Sequence, residues 1–252
     1  GVAAGHVRAP RTAQTPATDH EPRRSVAGML VVDFSALWAG PLCAHILGLA
    51  GARVVKVETP SRPDGARRGN PDFYHLLHAG HRSVTLDPAV ADDRAAMHTL
   101  VSAADIVIEA SRPRALRGFG LEAEEFVTAG ATWVSITAHG RASNRIGFGD
   151  DVSASAGLVA YDGQGPMFVG DAFADPLTGL TAAALAMTAP AAGSGVLHDI
   201  SMFDTVAATL TGSHEVAAYP DHGGWVVDTA DGAVAVTAPR ARSMYGEAPR
   251  SG

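Results

Sequence analysis

The chain has 252 residues, 46 % of them hydrophobic, and a formal net charge of −7. That is enough apolar material for one large core, which excludes wholesale disorder, and the acidic balance gives no support to nucleic-acid binding. A single cysteine, Cys43, excludes an intrachain disulfide, fits a reducing, cytoplasmic setting, and no apolar run reaches the ~18 residues of a membrane span.

Residues 1–26 carry Pro, Thr, Ala and scattered arginines without an apolar period. They are expected to form a mobile N-terminal arm without the apolar stretch of a secretory signal. Arg8, Arg11, Arg23 and Arg24 either meet a partner there or are simply solvated. Residues 27–252 read as one folded domain. Residues 29–35 form a short β-branched run, a buried strand. Residues 41–51 are apolar at helical spacing and stop at Gly51, a helix with a glycine end. A strand follows over 52–58. Residues 59–82, with Pro, Gly and Arg, read as a long loop. Strands are expected over 82–87, 104–110 and 132–140. The helices between them cover 91–104 and 121–130, the first opened by Asp92 and Asp93, acids that suit the positive end of the helix dipole. Strands alternating with helices of this length predict an α/β fold with a Rossmann-like parallel sheet and helices on both faces.

Residues 150–190 read as mainly helical, with a glycine-rich turn at 162–165 and the clearest helix over 176–189. A strand running into a helix is expected over 196–210, another helix near 213–219, and a hairpin around 230–232. Candidate chemistry gathers in a few places. Asp175 precedes Pro176 at the start of a small-residue helix. A carboxylate there either caps the helix or is held ionised, for other use, by unpaired N–H groups. Asp171 is its rival four residues upstream. Asp150 and Asp151 are adjacent carboxylates that either divide their pKa values for acid–base work or are solvated. His139 stands just after a strand end, where open parallel sheets bind ligands, and is either a base or a structural histidine. Lys56 is the only lysine, so any phosphate must be met mainly by arginines; Arg67 and Arg68 lie in the long loop.

Several segments together resemble class III CoA-transferases, the group of formyl-CoA transferase and alpha-methylacyl-CoA racemase. They are Asp33-Phe34-Ser35 with Ala39-Gly40-Pro41, the run Gly51–Glu58, and His81–Asp87, where His81 replaces the group's usual lysine. Ala104–Glu109 with Arg112-Pro113, Val134–Thr137 and Ala174–Leu180 complete the set. Their order and spacing carry the resemblance over roughly residues 28–210. It implies CoA, as an acyl-CoA substrate, and no metal. Asp175 becomes the nucleophile that forms a mixed anhydride and then an aspartyl-CoA thioester. Trp38, Ala39, Gly40, Arg82, Arg112 and Arg117 become CoA contacts, with Arg114 beside them.

The smaller second domain of that group is not found in the sequence, which runs straight into a return segment containing Pro239–Arg242. A homodimer, or a partner chain supplying that domain, is therefore expected. Where the racemases carry Gly-His-Asp, this chain has Gly147-Phe148-Gly149, which disfavours racemisation. The resemblance points to transfer of CoA between carboxylic acids. An isomerase or lyase using His139 or an aspartate on an acyl-CoA or related carbonyl, and a non-catalytic CoA-binding or assembly subunit, are the alternatives.

Overall fold

The computed structural model describes residues 6–8, 24–112, 114–162, 165–188, 194–210, 218–222, 224–229 and 232–236. In chain order they form β1 (His6–Arg8), β2 (Leu30–Asp33), α1 (Ala39–Leu49), β3 (Arg53–Glu58), a 3₁₀ turn (Gly65–Arg68), α2 (Pro71–His78), β4 (Arg82–Thr85), α3 (Ala91–Ser102), β5 (Ile106–Glu109), α4 (Arg114–Arg117), α5 (Ala123–Thr128) and β6 (Thr132–Thr137). Then come α6 (Gly149–Ser155), β7 (Val159–Asp162), β8 (Gly165–Phe168), α7 (Ala174–Ala186), β9 (Val196–Ser201), α8 (Met202–Thr209), β10 (Ala218–Asp221), β11 (Gly224–Thr229) and β12 (Gly232–Val236).

The main sheet is parallel throughout, in the order β1-β9-β6-β5-β2-β3-β4. From β2 the chain winds outward through β3 and β4, returns to β5 on the other side of β2, and continues to β6 and β9. This is the doubly wound order, and it places the reversal between β2 and β5. Alternation along the strands builds the two cores. Val31, Ile106, Ile108, Val134 and Ile136 face α1, α7 and α8. Val32, Val107 and Trp133 face α3 and α5. Strands buried on both faces explain the continuous apolar runs of β2 and β5.

Three expectations change. The loop expected over 59–82 contains the 3₁₀ turn and α2. Asn70 caps α2 through its side chain, which accepts from Asp72 N–H, and Pro71 occupies the first turn, where its missing N–H costs nothing. The stretch expected to be mainly helical after residue 150 holds the antiparallel β7–β8 ribbon between α6 and α7. Of the helix expected near 213–219, residues 213–217 lie outside the described residues, and Ala218 and Tyr219 begin β10. The hairpin around 230–232 is present as β11–β12. Most of residues 1–23 and the segment 239–242 also lie outside the described residues. Arg24 is docked, donating to Thr132 Oγ1 at 2.7 Å and to the Ala186 carbonyl, and Val26 is buried in the core.

The packing of α7 on α1 brings the site together. A Cβ on Gly179 of α7 would lie 2.6 Å from the Ala39 carbonyl and 3.0 Å from Leu42 Cβ of α1. Only a glycine lets the two helices approach this far. Gly179→Ala is expected to cost about 2 kcal/mol by forcing α1 outward, read as a lower denaturant midpoint at unchanged m-value. An unchanged midpoint would show that the interface gives way without strain.

Candidate active site

The chain leaves β2 at the point where the strand order reverses, and the turn into α1 is tightly specified. Asp33 Oδ1 accepts from Ser35 N–H at 2.8 Å and from the Ser35 hydroxyl. Leu37 takes a left-handed conformation with φ of 71°, which a leucine avoids unless something holds it. Its N–H donates to Asp64 Oδ1 at 3.0 Å. Gly40 then nests against the Ser35 side chain, which a Cβ there would collide with.

This turn forms one wall of a cleft of about 480 Å³. The 3₁₀ turn and α2 supply the facing wall, and α6 with Ala172 and Asp175 closes the base. Trp38 and Phe73 meet edge to face with centroids 5.2 Å apart, and Leu37 and Phe148 add exposed apolar surface. The size and the few convergent polar groups are those of a small-molecule site.

Asp175 lies in the first turn of α7 and lines this cleft. The N-cap residue of α7, Phe173, makes no side-chain cap, and the Asp175 carboxylate is bound by another helix. Its Oδ1 accepts from Ala39 N–H, 3.2 Å away, at the start of α1, and the Gly149 N–H at the start of α6 is a second donor. Three helix starts thus converge on one carboxylate. The simple helix-cap reading therefore gives way to a carboxylate bound by its neighbours' helices. Burial pushes Asp175 up to about 6, and the charges of Asp150 and Asp171 add to the rise, against the two backbone N–H groups. Desolvation outweighs the hydrogen bonds here. Gly149 is required by contact: a Cβ would collide with Asp175 Oδ2 and come within 2.7 Å of Ala172 Cα. Ala172 is itself left-handed, with φ of 46°, and its N–H is held by Asp150 Oδ1 at 2.9 Å. Two strained residues pinned by carboxylates, Leu37 and Ala172, therefore flank the base of the cleft, as strained backbone often does at functional sites.

Behind the cleft lies a buried polar layer. Lys56 and Asp64 form a fully buried ion pair at 2.8 Å. His78 Nε2 is 3.5 Å from Asp64 Oδ2, at the outer limit of an interaction, so Lys56 is the nearer partner. Burial favours a protonated Asp64, but His78, the Lys56 charge and the Ala66 N–H together hold its carboxyl well below the usual range. Burial, helped by the neighbouring His78, His45 and Lys56, pushes His81 down to about 3. Glu58 binds Arg67 through both carboxylate oxygens, which accept from Nε and Nη2, and the Arg67 guanidinium lies 4.5 Å over the Tyr74 ring. Among the described residues no group of three His, Cys, Asp or Glu side chains is placed to hold a metal ion, and no helix is long and apolar enough to cross a membrane.

The structure brings together only part of the predicted set. Asp175 and Trp38 line the cleft, and Ala39 donates to Asp175 from behind it, whereas buried Gly40 packs on Ser35 and is not among the lining residues. Asp171 is exposed and reaches Asp175 as a charge. His139 is not among the cleft-lining residues; its ring packs 5.3 Å from that of Phe203, and burial lowers its pKa, with Arg145 adding to the fall. Arg82 begins β4, level with Val55 in the middle of β3, and is not among the cleft-lining residues. Arg112 is exposed beyond β5, and exposed Arg117 pairs with Glu122 at 2.9 Å. Lys56 is buried and committed. Arg68, exposed between the lining residues Ala66 and Gly69, is better placed to meet a phosphate. Sequence reasoning missed Phe73, Phe148, Gly149 and Asp64. The Asn70-Pro71 helix start was a readable signal for Phe73, whereas Asp64 and Gly149 matter only through contacts distant in sequence.

Residues 26–240 match the sequence profile of CoA-transferase family III. The chain belongs to that family. Succinyl-CoA–D-citramalate CoA-transferase of Chloroflexus aurantiacus is 28 % identical over 212 residues, covering 77 % of this chain and 53 % of that protein. Succinate–glutarate CoA-transferase of Agrobacterium fabrum is 29 % identical, covering 73 % of this chain and 52 % of the relative. The chain thus spans about half the length of these curated relatives. A CAIB/BAIF family protein from Brucella suis is similar in structure, with a TM-score of 0.70 at 26 % identity over 84 % of this chain and 65 % of that one. Its α/β fold and parallel sheet are those of this family III chain.

Proposed function

We propose that the chain transfers CoA between carboxylic acids, with Asp175 as the nucleophile. The observation that carries this reading is the half-buried Asp175 carboxylate, open to the cleft and held by the Ala39 N–H. A CoA-transferase needs such a group, because covalent catalysis splits one difficult transfer into easier steps. The Asp175 oxygen attacks the thioester carbonyl, the C–S bond breaks, and CoA leaves as its thiolate. The thiolate then attacks the aspartyl carbonyl of the mixed anhydride, releasing the donor acid as a carboxylate and leaving an aspartyl-CoA thioester. The acceptor carboxylate repeats the sequence in reverse and regenerates Asp175. Wherever negative charge develops on Asp175 Oδ1, the Ala39 N–H is already aimed at it, so little reorganisation is needed. Trp38, Phe73 and Phe148 offer apolar walls to the chain that carries the thioester. We extend the reading to a homodimeric, cytoplasmic enzyme.

For the isomerase or lyase alternative, His139 does not line the cleft, which leaves an aspartate as the base it requires. The test is chemical trapping. The protein is incubated with succinyl-CoA, the donor named for the Chloroflexus relative, and with a panel of other acyl-CoA thioesters. It is then quenched with hydroxylamine and digested. A hydroxamate on the peptide bearing Asp175 is expected. CoA release with that peptide unmodified, or a hydroxamate elsewhere, would sink the covalent mechanism.

A further inference from the structure

The buried ion pair behind the cleft is joined to the nucleophile by a short chain of contacts that the reaction scheme does not use. Lys56 Nζ donates to the Ser35 carbonyl at 2.9 Å and pairs with Asp64 Oδ2 at 2.8 Å. The other Asp64 oxygen accepts from Leu37 N–H at 3.0 Å and from Ala66 N–H at 2.9 Å. Asp64 N–H is in turn bound by Glu58 Oε1 at 2.7 Å, and Glu58 is fixed by Arg67. The pair therefore grips the β2–α1 turn on both sides of Ala36, through the Ser35 carbonyl and the Leu37 N–H. It also ties that turn to the 3₁₀ turn across the cleft. The residue gripped is the one in left-handed backbone. Two residues on, the same turn presents Ala39 N–H to Asp175.

We infer that Asp64, whose charge Lys56 balances, is a positioning residue: its carboxylate holds Leu37 left-handed and so fixes the Ala39 N–H and the Trp38 wall against the Asp175 carboxylate. Geometry supports this more than stability does. A fully buried ion pair is a poor way to stabilise a fold, since an apolar pair of similar volume often does as well or better. What such a pair can supply is directional hydrogen bonding at two fixed points. Here both points fall on one strained turn. Rigid support behind a site matters because small misplacements of reacting groups are expensive in rate. The inference rests on reading Asp175 as the nucleophile, but its test reads the position of Asp175 and Ala39 without turnover.

Two double variants isolate the contact. Lys56→Met with Asp64→Asn removes both charges and keeps an oxygen acceptor for Leu37 N–H. Lys56→Met with Asp64→Leu removes the same charges and the acceptor. Neither leaves an unpaired buried charge, so both avoid the main hazard of the single changes. Any through-space charge effect on Asp175 is the same in both. In a 15N NMR titration, the Ala39 amide of the wild-type protein should move with the ionisation of Asp175. The Asn variant is expected to retain that titration. The Leu variant is expected to lose the Ala39 response, and the 13C midpoint of the Asp175 carboxyl should rise by about 1 pH unit because a donor to the charged form has gone. In the transfer assay the Leu variant should fall about 100-fold in kcat while the Asn variant stays within about tenfold of wild type. Identical Ala39 and Asp175 titrations in both variants would overturn the inference, whatever the activity.

The unmodified protein offers a check that does not depend on the variants folding. Leu37 and Ala39 amides should be protected from hydrogen exchange together, as parts of one clamped turn. Rapid exchange at Leu37 beside a protected Ala39 would equally overturn it.

Discussion

Replacing Asp175 by asparagine is expected to abolish CoA transfer and, above pH 6, to make the fold more stable. Both effects come from one titration. In the folded chain burial and the charges of Asp150 and Asp171 raise this carboxyl to about 6, against about 3.9 in an unfolded chain. The folded state therefore binds the proton more tightly than the unfolded state. Its contribution to stability is fully present below pH ~4 and is lost as pH rises through about 6. A carboxylate ionised in that site at pH 8 is thus a cost to folding, of order 2–3 kcal/mol for a shift of this size before allowing for its partial exposure to the cleft.

Asparagine removes the charge and keeps an acceptor for Ala39 N–H. It has one acceptor oxygen where the carboxylate has two, so Gly149 N–H loses its partner, which offsets part of the gain. The net expectation is about 1 kcal/mol of stabilisation at pH 8, shrinking to none or reversing below pH 5. Turnover should fall at least ~1,000-fold, since the nucleophile itself is gone. In the wild-type enzyme, kcat/KM should rise with pH through the same midpoint near 6 at which stability falls. Urea melts at several pH values, set beside the pH–rate profile, check both. A residue that merely capped a helix would lose stability on this change and keep its activity, and that result would remove Asp175 from the mechanism.

The sequence makes the frame of this fold legible and hides the detail of the site, for a physical reason. Runs such as Ile106–Glu109 are strands buried on both faces, and their apolar continuity is local information. So is the alternation with helices that implies a parallel sheet. The start of α2 was equally local, in Asn70-Pro71 followed by the buried Tyr74 and Leu77, but the prolines and glycines around it dominate the reading of 59–82. The β7–β8 ribbon is four residues a side, too short for alternation to outweigh the helices on either side. Asp175 was visible from its place before Pro176 and from the family pattern around it. Its environment was not. The N–H it binds is 136 residues earlier in the chain, and the carboxylate that holds Leu37 is 27 residues away from it. Arg82 shows the converse case: its segment matches the family, yet it begins β4 level with Val55 and does not line the cleft.

Gly149→Ala provides the second large effect, and it tests the shape of the site instead of its charge. The methyl group would occupy the space of Asp175 Oδ2 and press on the Ala172 backbone. Neither neighbour yields easily. Ala172 is held left-handed by the Asp150 carboxylate, and α7 is locked against α1 at Gly179. The softest response is rotation of the Asp175 side chain, which breaks its hydrogen bond to Ala39 N–H and swings the nucleophile out of line. A displacement of about 1 Å costs roughly 100-fold in rate, and the accompanying overpacking costs about 1–3 kcal/mol. Loss of kcat out of proportion to the loss of stability is therefore expected. In an Asp175→Asn background, adding Gly149→Ala should produce no further fall in rate, because both act on one group. A Gly149→Ala enzyme with wild-type kcat would mean that the carboxylate reacts from a position other than the one between α1 and α6. A side chain at residue 149 and the Asp175 carboxylate compete for the same volume, so glycine at 149 is what leaves the carboxylate its place between α1 and α6.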